Sequence, residues 1–455
     1  MPPFFIIMSK YKASVFNYLF NSINAVVMII NGIIMVPIYF HYMSVSTYGA
    51  WLATGNVVSM LGLIESGFAS VITQKMAVAI ATNDDGRFLK LAGANFVTAL
   101  FFALIILLVG LSISPFISSW VHVEGCVGSD IHNAFIIALV ASCISIIVSL
   151  IGAFPQVWQD TKIAGIINAA SNVIAILSLV VFLLIGCGVV SIALSYLVRA
   201  LLNLILQGRW ILRYWKKKGF QNPIYDVNTV KDLLKDCVYP FLSKLSGVFM
   251  GHSQSFIIAY FMNPALAAVY DITTKVCGVA CTIVSQTNGS FFALFSLTMA
   301  TKDQNQINDV FKKTSTFFFV SLLSVALFSM CFSEPIIKYW VGLDKFGGTM
   351  LLGVAVAATI LGQIRRYFNN IIYTGGLINK SAKLDILCMF VYLLVLVAII
   401  KYVQVYAVPL AGALSCLVFM LWYLRIMKKD LNIDIKMMTK IALTSTLIII
   451  PFIVT

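Results

Sequence analysis

Apolar residues in this 455-residue chain run in long blocks broken by short polar and basic stretches. The blocks fall at about 14–40, 47–78, 91–118, 132–155, 162–186 and 188–211, then at 236–262, 265–298, 313–334, 347–374, 380–401 and 404–427. A hydrocarbon core ~30 Å thick is crossed by about 20 apolar residues in a helix, so each block is long enough to span. Lipid offers no partners to backbone N–H and C=O groups, which makes every block helical. The pattern predicts an all-α polytopic membrane protein of about twelve transmembrane helices with short connections. A basic stretch and then Ile441 to Val454, interrupted by Pro451, follow the last block. This apolar C-terminal tail is expected as a partial span or an interfacial helix.

Composition agrees: 60% of residues are hydrophobic and 11% charged, far below the ~25% of soluble domains. A soluble multidomain enzyme is excluded, because no water-facing shell could cover this much apolar surface. The net charge of +14 would suggest nucleic acid on a soluble chain, but here Lys and Arg set topology. With the N-terminus inside, 23 of the 31 basic residues fall on the cytoplasmic side and three, Lys338, Lys345 and Lys401, outside. That bias predicts a cytoplasmic N-terminus. The nine cysteines lie almost all within apolar blocks, where a free thiol packs as a small hydrophobe, so no disulfide framework is expected. The N-terminal residues lack a basic n-region and an A-x-A site, so they do not read as a cleavable signal.

The sequence also repeats. Pro115-Phe116-Ile117-Ser118-Ser119-Trp120 and Pro335-Ile336-Ile337-Lys338-Tyr339-Trp340 share P-x-I-x-x-W at an offset of 220. Tyr48 and Tyr270, and Ser66-Gly67 and Asn288-Gly289, match at 222. Two halves of six helices each must share one orientation, so the expected architecture is two parallel-repeat six-helix lobes around a central cavity. The boundaries read as an N-terminal lobe at 1–211, a basic cytoplasmic linker at 212–235, a C-terminal lobe at 236–427 and the tail at 428–455.

Soluble chemistry leaves no trace: there is no Walker loop, G-x-G-x-x-G, H-E-x-x-H or C-x-x-C. The four histidines lack metal-ligand spacing, and His252, mid-span, reads as a core histidine. No cofactor, metal or nucleic acid is implied. Short outer loops weigh against a polymerase or ligase built on the outer face.

Polar residues inside the blocks point to a cavity. Asn17, Asn21, Asn24 and Asn31 fall on one stripe of the first helix. The stripe serves either interhelical hydrogen bonding or a wall that contacts sugar hydroxyls. Asn168 and Asn172 make a weaker stripe. Glu65 and Asp271 read as the only carboxylates well inside spans, against the cations Arg199, Lys244, Lys275, Arg365 and Arg366. An intramembrane charge costs about 2.5–3.5 kcal/mol on insertion scales, so each should face a partner or a wet cavity. Asp271 and Lys275, four apart, can pair on their own helix. Glu65 can take a cation at similar depth, Lys244 or Arg365 among them. At least three cations remain, so the cavity is expected to be net positive and to suit an anion such as a diphosphate. Arg365 and Arg366 are adjacent, so one of them contacts a neighbouring helix or snorkels.

Tyr48-Gly49-Ala50-Trp51, then Leu61-Gly62-Leu63-Ile64-Glu65-Ser66-Gly67-Phe68, resemble the acidic-x-Gly pattern of polysaccharide-lipid flippases. So do Ala268-Val269-Tyr270 and Pro335 to Trp340 with Val341-Gly342. Over about residues 10–430 the chain is similar to Wzx-type O-antigen flippases, of the superfamily that also holds lipid II flippases and multidrug and toxin extruders. Glu65 stands where Asp is more usual in that pattern. The resemblance implies a transporter, not an enzyme. It would move undecaprenyl-diphosphate-linked oligosaccharide from the cytoplasmic to the periplasmic leaflet of the inner membrane by alternating access. It further implies Arg199, Lys244, Lys275 and Arg365 or Arg366 as diphosphate contacts, and Glu65 and Asp271 as gating or ion-coupling groups. Implied partners are the polyprenyl-diphosphate-linked oligosaccharide, the lipid bilayer, and a polymerase or other surface-polysaccharide assembly proteins. A multidrug/cation antiporter of the same fold is the alternative; its substrates call for an acidic cavity.

Overall fold

The computed structural model describes residues 32–61, 66–158, 160–301 and 304–433. The expected asparagine stripe (Asn17, Asn21, Asn24, Asn31), Glu65 and the tail beyond residue 433 lie outside them. Every regular element among the described residues is helical. Those longer than ten residues are α1 (Gly32–Tyr42), α2 (Val45–Leu61), α3 (Ser66–Ala81), α4 (Asp85–Ile113), α5 (Gly125–Ile151), α6 (Thr161–Leu184) and α7 (Val190–Lys218). After them come α8 (Val227–Phe261), α9 (Pro264–Thr301), α10 (Gln304–Trp340), α11 (Thr349–Thr374), α12 (Ile378–Val403) and α13 (Ala407–Leu431).

Among the described residues, eight helical stretches are long and apolar enough to cross a bilayer. The longest, Ile378–Leu431, has 54 residues and holds α12 and α13, joined by a 3₁₀ turn. The predicted second block, 47–78, covers two helices, α2 and α3. Outward faces are apolar: Leu100, Leu104 and Leu108 on α4 are each more than half exposed, while Ala99, Phe102 and Ile106 on its other side are buried. A soluble monomer could not carry such stripes, and in a bilayer they meet acyl chains. This is a multi-pass membrane protein.

Contacts divide the chain into two units, Met1–Val248 with Asn263–Ala265, and Phe249–Met262 with Leu266–Thr455. Within the first, α5 packs on α4, α2 and α7, and α7 on α6. Within the second, α11 packs on α10 and α13, and α13 on α12. The neighbour order third–fourth, fourth–sixth, fifth–sixth is thus the same in both. The P-x-I-x-x-W segments match in detail. Ile117 and Ile337 are fully buried. Their carbonyls accept from the Val121 and Val341 amides at 3.1 and 3.0 Å. His122 and Gly342, again 220 apart, both have positive φ (+53° and +97°). Tyr48 and Tyr270 are buried alike.

The basic segment read as a linker is largely helical. α7 runs through Lys216-Lys217-Lys218 and ends on Gly219, whose φ of +69° closes the helix without a Cβ penalty. α8 begins at Val227. The residues between them are pinned to the first unit: the Ile224 amide donates to the Leu89 carbonyl (3.1 Å), and the Trp215 indole donates to the Gln221 carbonyl (3.1 Å). The Asp226 carboxylate accepts from the Thr229 hydroxyl (2.7 Å) and the Asn228 amide (3.1 Å), which hold it below the usual carboxylate range. Gly93 makes this docking possible, because a Cβ there would lie 2.2 Å from the Ile224 carbonyl oxygen. Gly93→Ala must push backbone aside, and overpacking of this kind costs about 1–3 kcal/mol. Thermal unfolding of the purified variant in detergent should show a lowered midpoint; an unchanged midpoint would mean that the segment yields freely.

Candidate functional site

α2, α5 and α7 each turn one helical stripe toward a common cavity of about 160 Å³ in the first unit. α2 supplies Trp51, Gly55, Val58 and Ser59; α5 supplies Ala138, Ala141, Ser142 and Ser145; α7 supplies Tyr196 and Arg199. The spacings are i, i+4, i+7, i+8 on α2, i, i+3, i+4, i+7 on α5 and i, i+3 on α7, as one face of a helix requires. Small residues on α5 keep its wall low, so the longer groups of α2 and α7 define the interior. The Trp51 and Tyr196 rings lie 6.0 Å apart at 48°.

Among the described residues, Arg199 is the only charged one in this lining, and it makes no salt bridge. Its backbone carbonyl accepts from the Asn203 amide group (3.1 Å). Gln207 then donates to the Asn203 and Asn168 side-chain oxygens, both at 3.2 Å. Asn168 therefore serves interhelical hydrogen bonding. Among the described lining residues, one guanidinium, several hydroxyls and no carboxylate make a site for an oxyanion, since the fork of Arg fits two phosphate oxygens.

The other predicted cations differ in their surroundings. Lys275 donates to Asp271 on its own helix (3.0 Å), both about a quarter exposed, as the four-residue spacing predicts. Lys75, within α3, pairs with Asp236 on α8. Lys244 is exposed on α8, and so is His252, against the expectation of a core histidine. Arg366 is exposed on α11 and makes no salt bridge among the described residues.

Arg365 is buried and pairs with Asp385 of α12. Asp385 also accepts from the Asn369 side chain (2.9 Å) and the Tyr423 hydroxyl (3.0 Å). Ser381 donates to Asn369 (2.6 Å), closing a network across α11, α12 and α13. This corrects one expectation: Glu65 and Asp271 are not the only carboxylates well inside spans, since Asp385 is buried against Arg365. The signal was present: Ser381, Asp385, Cys388 and Tyr392 form the buried stripe of α12. Asp385 was overlooked because it lies five residues into its block, beside Lys380 and Lys383. Trp51, Tyr196, Ser142 and Ser145 were also missed as cavity residues, since no local pattern separates them from packing residues.

The sequence profile of a family described as "Polysaccharide biosynthesis protein" matches residues 16–299, more than half of the chain. The chain belongs to that family. None of the curated proteins matches it. Among solved structures, a multidrug resistance MATE family transporter of the MOP superfamily, inward-facing, matches with TM-score 0.71 and 14% identity over 89% of this chain and 94% of its own. The lipid II flippase MurJ in an inward closed conformation matches with TM-score 0.69 and 13% identity over 98% and 92%. A Vibrio cholerae MATE transporter matches with TM-score 0.64 and 11% identity over 92% and 98%. At these identities the matches establish the fold: this member of the polysaccharide biosynthesis family is built as the MOP superfamily transporters are.

Proposed function

We propose that this protein is a flippase carrying polyprenyl-diphosphate-linked oligosaccharide, an O-antigen or related repeat unit, across the bacterial inner membrane by alternating access. The observation that carries the reading is the Arg199 cavity, whose lining among the described residues has a cation and no carboxylate. Such a cavity attracts a phosphorylated lipid and repels the cationic substrates of a multidrug antiporter. The family membership points to the same pathway. Arg199 is the proposed diphosphate contact, with Arg366 and Lys244 as further candidates. Lys275, already held by Asp271, is a weaker one. Glu65 and Asp271 remain proposals for gating or ion coupling, and the asparagines of the first block for sugar contact. The substrate and the bilayer are the proposed partners, with polymerase and assembly proteins beside them.

The test is complementation. The gene should restore surface polysaccharide to a flippase-null strain and clear the lipid-linked oligosaccharide that accumulates inside. Restored drug efflux without export would favour the antiporter.

The orientation belongs to the same proposal. Cys126 is exposed just inside α5. In a single-cysteine variant it should react with an impermeant maleimide added outside intact spheroplasts, whereas a cysteine placed at Lys217 should react only after lysis. The reverse sidedness sinks the orientation.

A further inference from the structure

The last ten residues of α7 carry five basic side chains, Arg209, Arg213, Lys216, Lys217 and Lys218, all exposed. None of the five forms a salt bridge among the described residues. Arg209, Arg213, Lys216 and Lys217 follow at i, i+4, i+7 and i+8, so they share one face over about 12 Å of axis at ~1.5 Å per residue. That face also carries Ile205 and Leu212, 49% and 64% exposed, four residues before Arg209 and three after it. Apolar side chains that face lipid therefore lead into a cationic strip on the same side of the helix.

The helix end is held rigid beneath the strip. Tyr214 stacks on Trp158 with centroids 4.5 Å apart, and Trp210 lies 6.1 Å from the same ring. Amphipathic aromatic rings of this kind settle at headgroup depth. Two ordinary roles do not account for the strip. Favourable contact with the helix dipole falls off within the last turn, so it reaches Lys216 to Lys218 and not Arg209 or Arg213. A topology signal needs charge near the span but no particular face.

We propose that this strip is a binding site for the phosphate headgroups of anionic phospholipids. Acyl chains would lie along Ile205 and Leu212, and phosphate oxygens would take the guanidinium forks of Arg209 and Arg213. The site is separate from the Arg199 cavity, and it does not rest on the flippase reading.

The experiment measures lipid binding to the full-length protein in detergent by native mass spectrometry. The probes are cardiolipin, phosphatidylglycerol and phosphatidylethanolamine at low salt. The wild type should prefer the two anionic lipids. The triple variant Arg209→Gln/Arg213→Gln/Lys217→Gln should lose about fivefold in anionic-lipid affinity per charge removed, with phosphatidylethanolamine unchanged. Lys428→Gln/Lys429→Gln, at the basic end of α13, controls for net charge and should lose much less. Where the triple variant fails to accumulate, Arg213→Gln should weaken binding and Arg213→Lys should keep most of it. Unchanged affinity in the triple variant or in Arg213→Gln overturns the proposal. So does an equal loss per charge in the α13 control.

Discussion

Arg199→Ala should reduce polysaccharide export by about tenfold to a hundredfold at normal protein level, with lipid-linked oligosaccharide accumulating inside the cell. Hydrogen bonds to charged groups contribute about 1.5–3 kcal/mol each, and every 1.4 kcal/mol is a factor of ten. Arg199 is the lone charge among the described residues of its cavity lining, so none of them can replace it. Arg199→Lys keeps the charge but loses the fork that takes two phosphate oxygens, and should export at an intermediate rate. Lys275→Ala should do less harm than Arg199→Ala, because Lys275 is already engaged by Asp271 at 3.0 Å. Surface polysaccharide and the lipid-linked pool are measured together in a flippase-null strain. Wild-type export by Arg199→Ala would remove the cavity from the transport path. Equal defects in Arg199→Ala and Lys275→Ala would mean that general charge, not this site, sets the rate.

What the sequence could reveal depended on how local each feature is. Helices were legible because the membrane sets their length and composition, and the blocks coincide with α4 to α13 to within a few residues, except where helices extend beyond the apolar run. α8 and α10 are such cases: each begins nine residues before its block, in polar sequence that is helical but not apolar. The Asp271–Lys275 pair was legible because both groups sit on one helix at a fixed spacing. Arg365–Asp385 was not, because helix pairing decides which groups meet at a given depth, and a separation of 20 positions does not encode it. The Arg199 cavity needed residues from three helices about 50 to 150 positions apart. A single sequence marks Arg199 as unexplained but not what surrounds it.

Breaking the Arg365–Asp385 pair should produce the largest loss of stability of any substitution in the second unit. Both side chains are nearly inaccessible, at 6% and 3% exposure, so either one left alone is an uncompensated buried charge. Removing one partner of such a pair costs about 3–5 kcal/mol, a large part of the ~5–15 kcal/mol that holds a typical domain folded. Arg365→Ala and Asp385→Ala should therefore accumulate poorly and unfold early in detergent. Replacing both, as in Arg365→Met/Asp385→Leu, removes both charges at similar volume and should recover much of the loss. Recovery stays partial, because the Asn369 and Tyr423 donors lose the acceptor they now share, and an unsatisfied buried polar group costs about 1–3 kcal/mol. The double variant also decides what Arg365 does. Near-normal export by a stable double variant assigns the pair to packing of α11 against α12 and α13. A double variant that is stable but inactive returns Arg365 to the substrate path, and a double variant no more stable than the singles overturns the pairing account.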